Sequence, residues 1–367
     1  MKILLIYLGR RGAGPVYSLE LSKILSREND FLAIISKNIQ NKNEWKEADI
    51  NYFEIDTFNN IFELFVSSIR FKKFINLKSL INKFSPDIVF YPMIHIWTPI
   101  LNYLLKKYEI YTTVHDPDMH LGEKNYFLNI IYKLSIKSSD RFIVLSNKFK
   151  KYLSNKYKIK EDLIYYIPHG NFSYYKKFSN SYKLENKKNK KILFFGRIVE
   201  YKGLDILLDA YEIIKTKLGN EVSLMIVGEG DLLKYKEKIK NERDIEVVNR
   251  WIDDKEIHKY FEMADIVVLP YKEASQSGII PLAYAFSKSV IATRVGGIEE
   301  QVDDGITGFL VKPNDSIELA QKCIELIKND DLRYKMSLNA KLKNETDLSW
   351  EKIGEMHIEV FKEFKNR

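Results

Sequence analysis

Short apolar runs, each closed by a turn or a polar residue and most followed by a stretch of helical period, recur along this chain in two series. The first opens with KILLIYL at residues 2–8. It passes through Gly9-Arg10-Arg11-Gly12-Ala13-Gly14 to Pro15, a residue suited to a first helical turn, and then to VYSLELSKIL, apolar at helical spacing. A run that is apolar throughout is buried on both faces, as in a parallel sheet covered by helices. FLAIIS, then residues 87–92, 111–116 and 140–146, repeat the unit. A polar stretch rich in Lys, Asn, Ser and Tyr, 171–190, lacks periodicity and reads as a linker. A second series follows at 191–197, 223–230, 245–251, 265–271, 289–293 and 308–311, with helical pattern at 204–217 and 317–328. The expected fold class is α/β, with two doubly wound Rossmann-like domains, 1–170 and 191–349. The helical segment 350–367 carries Ile353, Met356, Val360, Phe361 and Phe364 on one face and is expected to pack back on the first domain. Ligands of such sheets bind beyond the carboxyl ends of the strands, so the site should lie where two such ends face across a cleft.

Composition narrows the function. The 367 residues carry a net charge of +8, unevenly divided. Residues 1–190 hold 31 Lys and Arg against 18 Asp and Glu, a balance of +13; residues 191–367 hold 27 against 32, a balance of −5. A basic half favours polyanions: nucleic acid, acidic lipid or phosphorylated ligands. One cysteine, Cys323, excludes an internal disulfide and a Cys-based zinc site. The apolar residues 3–8 are too few for a signal-peptide core, and no run approaches the roughly 18 apolar residues of a spanning helix. A cytoplasmic protein is expected, at most bound to the inner face of the plasma membrane. Residues 61–84 interleave large apolar side chains with Arg70, Lys72, Lys73, Lys78 and Lys83, and Lys148–Lys160 adds a Lys/Tyr-rich patch. Such a helix can lie on an anionic bilayer, or can pack on its own domain and leave the lysines in water.

Two clusters carry chemistry. In GRIVEYKGLDILLDAY, Arg197 and Lys202 converge near a helix start, where an arginine fork and a lysine point charge would clamp a diphosphate. After the run at 265–271, the loop from Glu273 to Gly278 supplies a carboxylate, hydroxyls and, at Ser277, Gly278 and Ile279, amides for a phosphate; the same residues would serve as ordinary cap and turn. HDPDMH after the 111–116 run places Asp116, Asp118 and His120 where an acceptor hydroxyl could be held; the same residues would serve equally as a solvated loop. No His set has metal-ligand spacing, so no metal is expected. GRRGAG lacks the G-x-G-x-x-G spacing of a dinucleotide fingerprint, which sets aside an NAD-dependent oxidoreductase. No helix-turn-helix, zinc or RNA-binding signature accompanies the basic half, so no nucleic-acid partner is expected.

Taken in order, GRxxxxKG, VGEG, DIVVLPY, the loop ending in SG and VIATxVGGIEExVxDGxTGFLVxPxD resemble the C-terminal domain of family 4 glycosyltransferases, and GRRGAGP, TVHD and IPHG extend the resemblance more loosely over the first half. These are retaining, sugar-nucleotide-dependent enzymes of the GT-B fold. The resemblance implies that Arg197 and Lys202 hold the donor diphosphate, Gly228 and Glu229 lie beside the donor, and Trp251 and Ile252 hold the base. It implies that Gly12 lies in a loop closing over the diphosphate and that His115 contacts the transferred sugar. The substrate would be a UDP- or GDP-sugar without a separate cofactor. The acceptor would be a saccharide or a lipid-diphosphate-linked saccharide of an envelope polysaccharide, with an anionic membrane surface as a further partner. The family's two glutamates, eight apart, fall on Ala274 and Leu282 when aligned from AYAFSKSVIAT; Glu273 lies one residue early, so Glu273 or else Ser275, Gln276 or Ser277 would bind the sugar hydroxyls. A sugar-nucleotide epimerase of the same fold is the first alternative and would need an acid/base carboxylate pair; a basic nucleic-acid-binding protein is the second.

Overall fold

A computed structural model describes residues 1–58, 63–64, 71–117, 125–179, 189–240 and 244–363, and it divides the chain into two compact units. In the first, strands β1 (Lys2–Tyr7), β2 (Asp30–Ser36), β3 (Tyr52–Ile55), β4 (Ile88–Tyr91), β5 (Glu109–Val114), β6 (Arg141–Val144) and β7 (Ile164–Tyr166) form one sheet in the order β3-β2-β1-β4-β5-β6-β7. In the second, β8 (Lys190–Phe195), β9 (Val222–Val227), β10 (Ile245–Val248), β11 (Ile266–Leu269), β12 (Val290–Thr293) and β13 (Gly308–Val311) follow the order β10-β9-β8-β11-β12-β13. Every pairing is parallel. Both sheets begin on an inner strand, wind outward and then return to its other side. This is the doubly wound pair of the GT-B fold, with switch points between β1 and β4 and between β8 and β11. The continuous apolar runs have the expected cause: Ile3 to Leu8 and Leu224 to Val227 are buried, because helices cover both faces of each sheet.

Helix Trp350–Lys362 belongs to the first unit and packs on helix Ala13–Glu28. Ile353, His357 and Phe361 are buried, and the Phe361 ring meets Tyr111 at 4.9 Å and Phe90 at 5.4 Å.

Two expectations need correction. The linker reading of 171–190 fails over its first nine residues. A 3-10 turn, Ser173–Phe178, buries Tyr174 and Tyr175 against helix Asp254–Met263, and Ser179 donates a hydrogen bond to Glu262, so this stretch folds with the second unit. Its lack of period reflects a turn, which has no repeating face. The bilayer reading of 61–84 fails over helix Phe71–Phe84. Phe74, Leu77 and Ile81 are buried in the core of the first unit, and the Lys73 ammonium lies 3.7 Å from the Trp97 ring centroid. Residues 59–62 and 65–70 of that segment lie outside the described residues. Among the described residues no helix is long and apolar enough to cross a membrane.

Candidate active site

In the second unit, β8 ends into Gly196 and the exposed Arg197, and Lys202 closes a 3-10 turn, Glu200–Lys202, before helix Leu204–Leu218. Lys202 is held on the phenol of Tyr271. The Lys202 Nζ donates to the Tyr271 Oη at 2.6 Å and stands 4.1 Å from the Tyr271 ring centroid, while Arg197 lowers the energy of a Tyr271 phenolate. Burial nevertheless dominates and pushes the phenol up, so Tyr271 is a neutral anchor just beyond β11. Arg197 also reaches Tyr201, Nη2 to Oη at 3.4 Å. Both charges therefore lie in the loop that follows β8, and Lys202 meets the neutral Tyr271 past the end of the neighbouring strand β11, at the switch point, where cations suit an anion.

Gly228 follows β9 with φ +139°, and a Cβ there would stand 2.0 Å from the Gly196 carbonyl oxygen. Only glycine allows that approach, which brings the β8 and β9 loops together. Glu229 is exposed, and its carbonyl accepts from the Ile198 amide at 2.8 Å. Trp251 is 39% exposed beside the buried Ile252, and its carbonyl accepts from Arg250, which also grips Glu256 through both guanidinium nitrogens.

The loop after β11 departs from expectation. Ser277 and Ile279 do not present amides to a phosphate. The Ser277 N–H donates to Gln301 Oε1 at 2.8 Å, the Gln301 Nε2 donates to the Ser277 carbonyl at 3.0 Å, and the Ile279 N–H donates to Ser277 Oγ at 3.2 Å. Unpaired amides at a buried helix start must find acceptors, and here Gln301 and the serine hydroxyl supply them. Gly278 stands at the N-cap of helix Ile279–Ala285. Glu273 is half-buried in this loop, whereas Ala274 and Leu282, at the two family glutamate positions, are buried. Sequence reasoning missed Tyr271 and Gln301. Tyr271 had a signal in LPY, since a strand-end tyrosine with a hydroxyl to satisfy points toward the site; Gln301 had none.

In the first unit, the loop after β1 carries Gly12 at φ +83° as the N-cap of helix Ala13–Glu28, whose first turn holds no acidic residue. A Cβ at Gly9 or at Gly14 would stand 2.3 Å from the Tyr7 hydroxyl, so the loop is wrapped over that side chain. Below it, the Tyr17 ring meets His115 at 5.7 Å, His169 at 5.0 Å and Trp350 at 5.3 Å. Burial lowers the pKa of His115, against the opposing pull of the Pro92 carbonyl and Asp116, and lowers that of His169 to about 4. His115 is therefore neutral near pH 7. Its Nε2 lies 2.8 Å from the Pro92 carbonyl, which can only accept, so the proton sits on Nε2 and Nδ1 carries the lone pair. Such an imidazole can accept a hydroxyl's hydrogen bond but is not a proton store. The Asp116 carbonyl accepts from Tyr132 at 2.5 Å; Asp118 and His120 lie outside the described residues. Among the described residues no group of three His, Cys, Asp or Glu is placed to hold a metal.

Family models match both units. The one described as "Glycosyl transferases group 1" matches residues 175–343, and "Glycosyltransferase Family 4" matches residues 17–170. The chain belongs to the family 4 glycosyltransferases. An uncharacterized glycosyltransferase of Methanocaldococcus jannaschii, MJ1178, is 30% identical over 65% of this chain and 64% of its own length, so the match spans slightly less than two thirds of that relative. The capsular polysaccharide biosynthesis glycosyltransferase CapM of Staphylococcus aureus is 26% identical over 67% of this chain and 68% of its own. Among solved structures, Anabaena Alr3699/HepE in complex with UDP-glucose superposes with a TM-score of 0.76 at 17% identity, covering 99% of this chain and 100% of that one, a likeness of fold.

Proposed function

We propose that this protein is a retaining glycosyltransferase that moves a hexose-type sugar from a UDP- or GDP-sugar to a saccharide or lipid-linked saccharide, in the synthesis of an envelope or capsular polysaccharide. The observation that carries the reading is Lys202 fixed on Tyr271, with Arg197 held on Tyr201 in the same loop after β8, at the switch point of the second sheet. The relationship to CapM supports the polysaccharide role. The bond between the sugar's anomeric carbon and the diphosphate oxygen breaks; the acceptor hydroxyl oxygen bonds to that carbon on the same face, and its proton passes to the departing diphosphate. Arg197 and Lys202 stabilise the charge that grows on the diphosphate, the step at which fixed cations do most. That pair supplies the neutralisation without a divalent ion, and no other cofactor is used. Trp251 and Ile252 hold the base, Gly228 and Glu229 border the donor, and Glu273 and neutral His115 orient the transferred sugar. Asp116, with Asp118 and His120, receives the acceptor. A nucleic acid is not a partner.

Thermal-shift titration with UDP, GDP and a short single-stranded DNA tests this. One nucleoside diphosphate should stabilise the protein, with EDTA making no difference. Lys202→Ala should weaken its binding about 10- to 100-fold, as loss of a charge-assisted hydrogen bond does, and Tyr271→Phe about 3- to 10-fold. Stabilisation by DNA alone would overturn the reading. Interconversion of the donor sugar without release of diphosphate would replace it with the epimerase.

A further inference from the structure

Two side-chain carboxamides of the second unit make the same two-point contact. Asn249 Oδ1 accepts from the Gly230 N–H at 3.0 Å, and Asn249 Nδ2 donates to the Gly230 carbonyl at 3.0 Å. Gln301 Oε1 accepts from the Ser277 N–H at 2.8 Å, and its Nε2 donates to the Ser277 carbonyl at 3.0 Å. A carboxamide carries an acceptor oxygen beside an N–H donor, so it meets both peptide groups of one residue as a neighbouring strand would. Two such bonds fix that residue's backbone. Topology gives the pairs a meaning. In the order β10-β9-β8-β11-β12-β13, the loop bearing Arg197 and Lys202 leaves the inner strand β8. On one side of it, Asn249, past the end of β10, holds the loop after β9. On the other side, Gln301, in helix Ile298–Gln301 past the end of β12, holds the loop after β11. Each clasp therefore runs from an outer loop to the inner loop beside the cations. Backbone bonds reinforce both, Gly228 N–H to the Val248 carbonyl at 2.9 Å and Gly297 N–H to the Ser275 carbonyl at 3.1 Å.

We propose that Asn249 and Gln301 are positioning residues that divide recognition of the donor between them. Asn249 sets the loop that borders the nucleoside, and Gln301 sets the loop that borders the transferred sugar, with the diphosphate at the cations in the middle. This assignment rests on the donor reading of these strand-end loops. Asn249 adjoins Arg250 and Trp251, so the segment that grips Gly230 also presents the base-binding residues, whereas the loop gripped by Gln301 carries Glu273. Neither carboxamide has to touch the donor. A loop already held in its bound shape is spared the ordering cost of binding, and each clasp lowers that cost for one half of the ligand. Asn249 is exposed, so water replaces its bonds when it is removed, and the loss falls on binding rather than on folding.

Titration calorimetry of the full chain separates the halves. The probes are UDP with UDP-glucose, UDP-galactose and UDP-N-acetylglucosamine, and GDP with GDP-mannose. Asn249→Ala should weaken the nucleoside diphosphate and its tightest sugar nucleotide by one common factor, about 10-fold, so that the ratio of the two affinities is unchanged. Gln301→Met, similar in length and without hydrogen-bonding N–H groups, should leave the nucleoside diphosphate within about twofold and lower that ratio about 10-fold. A merely structural role would lower the melting temperature and leave the ratio alone. Asn339→Ala, which removes a carboxamide bond to the Ile306 carbonyl at 3.2 Å, should change neither affinity. If the wild type binds none of these nucleotides, the donor reading fails and the assignment fails with it. If the wild type binds and the two variants do not part in this way, the assignment alone is overturned.

Discussion

The two units share a topology over six strands, the first adding β7 at its edge, and use it oppositely. At its switch point the second sheet gathers fixed cations on a hydrogen-bonded scaffold: Lys202 on Tyr271, Tyr271 beside Ser277 at 3.3 Å, and Ser277 tied to Gln301. Its switch region is also sterically locked by Gly203, where a Cβ would stand 1.9 Å from the Pro270 carbonyl oxygen. The first sheet gathers neutral rings instead. His95, His115, His169 and His357 are all depressed by burial, His95 to about 3 with Arg10 and Lys73 adding to the effect. One fold thus yields a hydrogen-bonded cationic loop in one copy and an apolar, aromatic floor in the other. Topology decides where a site lies, and the side chains at the strand ends decide what it binds.

The sharpest way to break this comparison is to remove the lock. Gly228→Ala places a methyl group against the Gly196 backbone at a positive φ, so both sterics and conformation oppose it. The expected result is a loss of about 3 kcal/mol or more, confined to the second unit, read as an early transition in calorimetry. A variant that melts with the wild type would mean that the β8 and β9 loops separate without penalty.

Acid should act on the other unit. A histidine held neutral in the folded state binds its proton more readily when unfolded, so its contribution is complete above about pH 6.5 and declines as the pH falls. For His169 and His357, depressed to about 4, the decline continues to that value. Each imidazole removes roughly 1.4 kcal/mol per pH unit inside this window. Trp45, Trp97 and Trp350 are buried in the first unit, whereas Trp251 of the second is partly exposed, so tryptophan fluorescence reports mainly on the first. Between pH 7 and 5 its emission should shift red before half the far-ultraviolet dichroism is lost. Simultaneous loss of both signals would show that the two units do not differ in this respect.

Central strands and the cation pair were legible in the sequence because each is a local pattern. ILLIYL and LMIV are apolar throughout, and GRxxxxKG brings Arg197 and Lys202 within six residues. The edge strands β3 and β7 were not read. They are short and partly exposed, with Phe53 at 45%, so they lack a continuous buried run. Tyr271 had a local signal in LPY, but its pairing could not be read, since it lies 69 residues from Lys202 and Gln301 lies 24 from Ser277; only the folded sheet makes them neighbours. Helix Phe71–Phe84 shows the ambiguity of amphipathic pattern most plainly. Its period fits a membrane face as well as a core face, and the identity of the covering partner, here Trp97 and Leu101, is a tertiary fact.

The smallest expected effect belongs to Gly12, and it tests whether the first unit's loop is as unconstrained as the second's is locked. Its φ of +83° and ψ of −155° fall in a region that is essentially glycine's alone, yet a Cβ built there meets nothing within 4 Å. Gly12→Ala therefore opposes the backbone conformation without a clash, and the open surroundings let the loop relax. The loss of stability should be about 1 kcal/mol, well below that of Gly228→Ala. If this loop closes over the donor diphosphate, nucleotide affinity should fall by a larger factor than the stability loss explains, because relaxation moves the amides ahead of helix Ala13–Glu28. A melting shift as large as that of Gly228→Ala would instead show the loop to be as tightly determined as its counterpart, and the contrast between the two switch points would lie in charge alone.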